Sequence, residues 1–123
     1  MMMSWLLTLP GEERQTYRVH KMESFIERAR GLLFQSGISA GEVYWFDRCS
    51  SVHMFGMRFP IDVVFLDKQF SITKIVSGLK PWRFSYSLGS RSVLEMKSGE
   101  SSARQMKVGQ VLEFQRVEDV KNV

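Results

Sequence analysis

Ser51-Val52-His53-Met54-Phe55-Gly56-Met57-Arg58-Phe59-Pro60-Ile61-Asp62-Val63-Val64-Phe65-Leu66-Asp67 decides the fold class. Its Val, Ile and Phe content suits a sheet interior. Pro60 cannot donate a ladder hydrogen bond, so the run predicts two strands, Ser51 to Met57 and Ile61 to Leu66, meeting at a bend. His53, Arg58 and Asp62 sit inside this apolar context, where each polar group needs a partner. The bend is expected to gather them.

Working outward, Trp5 to Leu9 and Thr16 to Lys21 flank Pro10-Gly11-Glu12-Glu13-Arg14, the pattern of a hairpin. Ser24 and Glu27 have capping-box spacing, and Phe25, Ile26, Ala29, Leu32 and Leu33 make an apolar stripe, predicting a main helix over residues 24–34. Further strands are expected at Glu42 to Asp47, Phe70 to Ser77, Ser92 to Lys97 and Val111 to Val117. Asp67-Lys68-Gln69 reads as a tight connection. Residues 78–90 read as a long loop with short extended pieces, and Ser98-Gly99-Glu100 opens a short helix through Met106. With no repeat and no linker composition, the expectation is one α+β domain over residues 1–123, core about 5–117, with about seven mostly antiparallel strands.

At 123 residues, with 44% hydrophobic and 24% charged residues, the composition is that of a single globular domain. Nine Phe, three Tyr and three Trp point to a sheet-rich core. The net charge of +4 favours anionic partners. Along the chain the positive residues are scattered without a block, so nucleic acid is not the expected partner. The lone Cys49 makes no internal disulfide, and the first ten residues lack a basic n-region and cleavage site, which fits a cytoplasmic protein without a membrane span.

Four ordered blocks carry a resemblance: Glu27-Arg28-Ala29-Arg30-Gly31-Leu32-Leu33, then Cys49 to Asp67, then Pro81-Trp82-Arg83, then Val93-Leu94-Glu95-Met96-Lys97-Ser98-Gly99. Together they resemble domain of unknown function family 192 of bacteria and archaea, over about Trp5 to Phe114. The resemblance implies a small α+β domain with a curved, barrel-like sheet and no established catalytic residue. Where the family has glycine followed by aspartate, this chain has Gly109-Gln110.

Six residues are candidates for a ligand site: His53, Arg58, Asp62, Trp82, Arg83 and Glu95. Trp82 and Arg83 pair an aromatic ring with a guanidinium, a combination that clamps planar or anionic ligands; the competing structural role for Trp82 is a lid on the sheet. Asp62 beside proline reads first as a brace that accepts backbone amides or Arg58. The leading expectation is therefore a binding or interaction module for an anionic small molecule, peptide or protein. The alternative is a small hydrolase or isomerase with His53 as base and Asp62 or Glu95 as its acid or orienter. Cys49 with His53 is a weaker nucleophile and base pair. No paired metal-ligand spacing and no phosphate loop occurs, so no metal or cofactor is expected.

Overall fold

In the computed structural model, residues 2–11, 15–22 and 37–119 are described. Nine strands run in chain order: β1 (Met2–Leu9), β2 (Gln15–Met22), β3 (Glu42–Asp47), β4 (Ser51–His53), β5 (Ile61–Leu66), β6 (Ile72–Leu79), β7 (Phe84–Tyr86), β8 (Ser92–Lys97) and β9 (Glu113–Asp119). Among the described residues there is one short helix, α1 (Glu100–Ala103), between β8 and β9. Seven strands form one sheet in the order β6-β5-β8-β3-β2-β1-β9, and β4 and β7 form a separate two-stranded ribbon.

The expected hairpin of β1 and β2 is present, with Trp5 opposite Val19 and Leu9 opposite Gln15. β2 and β3 pair in parallel, and every other ladder is antiparallel. β1 is not an edge. Its other side pairs with β9, Met2 facing Asp119 and Thr8 facing Glu113.

β5 is buried at all six positions, which is why its sequence is apolar without alternation: both faces of the sheet are covered here. Val64, Leu66, Leu94 and Met96 pack on one face with Leu7, Tyr17, Trp45 and Leu112. Ile61, Val63, Phe65 and Val93 pack on the other with Tyr44, Phe46, Val52 and Met54. This second face is the one the ribbon covers, through Val52, Met54 and Met57.

The expected α+β, barrel-like class is corrected. Among the described residues the chain is nearly all β, with no helix of seven or more residues and a sheet that does not close. Among the described residues no ladder joins the edge strands β6 and β9; the segments that precede them meet at the isolated bridge of Ser71 and Val111. The main helix expected over residues 24–34 lies outside the described residues. The strand expected from Ser51 to Met57 ends at His53, because Gly56 adopts φ 79° and turns the chain. Its partner β7 comes from the segment expected to be mainly loop.

Two turns show how local chemistry sets the connections. Asp67 Oδ1 accepts the amides of Gln69 and Ser71, both at 2.9 Å, closing the tight β5–β6 turn. Gln110 Oε1 accepts the Lys107 amide at 3.0 Å, so an amide side chain braces the turn at Gly109.

Candidate functional site

The bend at Pro60 separates the candidates instead of gathering them. Asp62 is fully buried. Its Oδ1 accepts the Gly78 amide at 2.8 Å, and its Oδ2 accepts the Ser101 amide at 2.9 Å and the Ser101 hydroxyl at 2.6 Å. It thus ties β5 to the end of β6 and to α1. Neither Arg58 nor His53 bonds to it.

Beside this clamp, α1 closes the end of the sheet through a second set of bonds. Glu100 Oε1 accepts the Tyr17 hydroxyl at 3.1 Å and Arg104 Nε at 3.0 Å, and Arg104 Nη1 donates to Gln15 Oε1 at 3.2 Å. Burial, and then the Glu100 carboxylate, push the Tyr17 hydroxyl well above its ordinary pKa. This corner is a satisfied polar plug, with its donors and acceptors matched to one another.

Glu95 faces the other way. In the β5–β8 ladder Asp62 stands opposite Met96 while Glu95 stands opposite Val63, so the two carboxyl groups leave opposite faces of the sheet. Glu95 lies between Tyr44 and Val63 in the apolar cluster beneath the ribbon. Burial raises its pKa to about 8. On the same row His20 stacks on Tyr44 with ring centroids 4.9 Å apart, and its Nε2 lies 3.4 Å from Glu42.

His53, Trp82 and Arg83 lie together on the ribbon. β4 and β7 each alternate exposed, buried, exposed, so His53 and Phe84, which are opposite each other, both point outward, as do Ser51 and Tyr86. The pairing continues past β4, with the Met54 amide donating to Arg83 O at 2.7 Å and the Trp82 amide to Met54 O at 2.8 Å. Outside this ladder His53 stacks on Phe55 at 5.0 Å and 29°, and Phe55 lies 6.1 Å from Trp82 at 30°. Three rings therefore form one open series, each tilted about 30° from the next.

The exposure of this surface is unusual. Trp82 and Phe84 are 66% and 65% exposed, and Phe55 and Tyr86 more than half. A soluble protein leaves such rings out singly more often than in a group. Trp82 also holds φ 67°, a left-handed conformation that disfavours a bulky residue. The ribbon is fixed from below: Lys74 Nζ donates to Tyr86 O at 2.8 Å and lies over the Tyr86 ring.

Charge follows the same partition. Segments 48–60 and 80–91, which the ribbon brings side by side, contain Arg48, Arg58, Lys80, Arg83 and Arg91 and no acidic residue. All five are exposed. Arg91 pairs with Asp47 at 3.8 Å, whereas Arg58, Lys80 and Arg83 make no side-chain ion pair among the described residues. Cys49 is not aimed at His53; its thiol donates to Ser51 O at 3.0 Å.

Phe55, Phe84 and Tyr86 were not among the candidates from sequence. Their signal was the alternation Phe84-Ser85-Tyr86, which marks a half-exposed strand but is short enough to pass for loop. No group of three His, Cys, Asp or Glu residues that could hold a metal occurs among the described residues. No described helix is long and apolar enough to cross a membrane.

Two solved structures share this architecture. A protein of unknown function from Novosphingobium aromaticivorans DSM 12444 superposes with a TM-score of 0.79 at 22% identity, covering 88% of this chain and 83% of its own. A Sinorhizobium meliloti 1021 protein described as a "putative transcription regulator" gives 0.81 at 18% identity, covering 92% of this chain and 94% of its own. At these identities the likeness is one of fold. No curated protein matches the chain. The model of the uncharacterized ACR family known as domain of unknown function 192 matches residues 7–114, and the chain therefore belongs to that family.

Proposed function

We propose that the protein is a binding module for an anionic ligand, and that it recognises the ligand through the outer surface of the β4–β7 ribbon. The observation that carries this is the exposed series His53, Phe55 and Trp82, set among Arg58, Lys80 and Arg83 with no acid in either segment. Rings supply flat apolar area at little entropic cost, and the guanidinium and ammonium groups supply attraction and orientation. The strained Trp82 backbone supports the same view. Glycine would fit that conformation more easily, so the indole ring is what this position adds at the cost of that strain.

The geometry supports the hydrolase or isomerase alternative less than it supports binding. It needs His53 within hydrogen-bond reach of an acid in one accessible pocket. Here His53 is outside, Asp62 is sealed at a corner with three donors, and Glu95 occupies the opposite face from Asp62.

Amide chemical-shift mapping tests the proposal. Titration of the labelled protein with polyglutamate, inorganic pyrophosphate and an aromatic carboxylate is expected to move residues 51–58 and 80–86 with at least one of them. Shifts confined to the Asp62–Ser101 corner overturn it, as does the absence of saturable shifts both with these three and with longer polyanions.

A further inference from the structure

We infer that the ligand of the ribbon is a single-stranded nucleic acid, an assignment that rests on the anion-binding proposal above and narrows it. Along the sequence the basic residues are dispersed, which argues against such a partner; folding changes that by laying segment 48–60 beside segment 80–91. The Met54–Arg83 and Met54–Trp82 backbone bonds make the juxtaposition rigid.

Three features distinguish a strand of nucleotides from other anions. First, Phe55, Trp82, Phe84 and Tyr86 are each more than half exposed, so these rings stand out from the ribbon rather than lining a cavity. A peptide side chain needs a concavity to enter, whereas a base needs only a flat ring. Second, His53, Phe55 and Trp82 are within about 30° of parallel from one to the next. An open series of this kind is continued by another planar ring, not by an acyl chain or a carboxylate.

Third, the basic side chains alternate with the rings. Lys80, Trp82, Arg83 and Phe84 fall within the five-residue stretch Lys80-Pro81-Trp82-Arg83-Phe84, placing donors for phosphate oxygens beside surfaces for bases. Every charged side chain of the two segments is cationic, which complements a phosphodiester backbone. Duplex DNA hides its base faces in the stack, so the ribbon's rings have nothing to engage there.

The test is fluorescence anisotropy with a fluorescein-labelled oligothymidylate, run beside the same strand annealed into a duplex, phosphatidylglycerol vesicles and polyglutamate. The oligothymidylate is expected to bind in preference to its duplex. Its affinity should fall with salt at a log–log slope of about −2 if Arg58, Lys80 and Arg83 each meet a phosphate. Trp82→Gly and Phe84→Ala should each weaken binding roughly tenfold or more while leaving the melting temperature within a few degrees. Arg83→Ala should bring the slope toward zero by about 0.7.

Tighter binding to the duplex, or oligothymidylate binding indifferent to Trp82→Gly and Phe84→Ala in folded protein, overturns the inference. Binding to vesicles or polyglutamate alone, abolished by Trp82→Gly, overturns it while leaving the anion-binding proposal in place. Binding to none of the four overturns both.

Discussion

The Asp62 corner and the His53 ribbon come from the same seventeen-residue run and end in opposite conditions. At the corner, a buried carboxylate meets three donors at 2.6–2.9 Å and no solvent. On the ribbon, an imidazole nine residues earlier stacks on Phe55 and stays exposed. Polar residues embedded in an apolar sequence thus have two ways to be satisfied: distant segments can bring partners to them, or the chain can turn them out. The first produces a brace. The second leaves chemistry exposed.

Removing the brace has the largest expected effect. Asp62→Ala strands the Gly78 and Ser101 amides and is expected to cost about 3 kcal/mol or more, read by urea denaturation. A variant as stable as the parent would mean that the corner is not a clamp and would erase the contrast with the ribbon.

Glu95 gives the next effect, and it has a pH signature. Its folded pKa of about 8 lies above that of an unfolded glutamate, so between about pH 4.5 and 8 the native state holds a proton that the unfolded state has released. Stability is therefore complete below that window and falls as the pH rises through it. Glu95→Gln should flatten this part of the stability profile, followed by thermal melts across pH. An unchanged profile would show that Glu95 is ionised in its site.

Ser101→Ala removes one hydroxyl donor from Asp62 while retaining the amide, and about 2 kcal/mol is expected in the same urea assay. A loss as large as that of Asp62→Ala would place the whole clamp in that hydroxyl. Trp82→Gly should give the smallest effect. Relief of the left-handed backbone and the added freedom of the unfolded chain oppose each other at about 1 kcal/mol each. Calorimetry should find little change, and a large loss would make Trp82 a structural lid.

Much of the sheet was legible because strand-forming side chains and turn residues alternate locally. Glu42 to Asp47, Ile61 to Leu66 and Ser92 to Lys97 appear with the expected bounds, since Val, Ile, Phe and Trp dominate the first two, Val93, Leu94 and Met96 supply the apolar positions of the third, and a turn follows each. The site was less legible for a physical reason. Asp62 finds its partners 16 and 39 residues away, and no local pattern encodes such a meeting. A regular strand from Ser51 to Met57 would put His53 and Met57 on one face; the turn at Gly56 breaks the alternation, leaving His53 outside and burying Met57. β7 is one of the short extended pieces expected within residues 78–90, but its bounds and its pairing with β4 were not legible, because three residues carry little periodicity. The barrel expectation failed at the edges, where a single bridge at Ser71 and Val111 stands in for a closing ladder.

The pairing of β1 with both β2 and β9 has a consequence for biosynthesis. As the chain emerges during translation, β1 can form its hairpin with β2 at once, but its other side waits for Glu113 to Asp119. Until those residues leave the ribosome, Ser4 to Thr8 present open amides and carbonyls to any neighbouring nascent chain. Completion of the sheet is thus timed by its last strand, and shortening the chain before Glu113 should convert an orderly product into one that depends on chaperones for solubility.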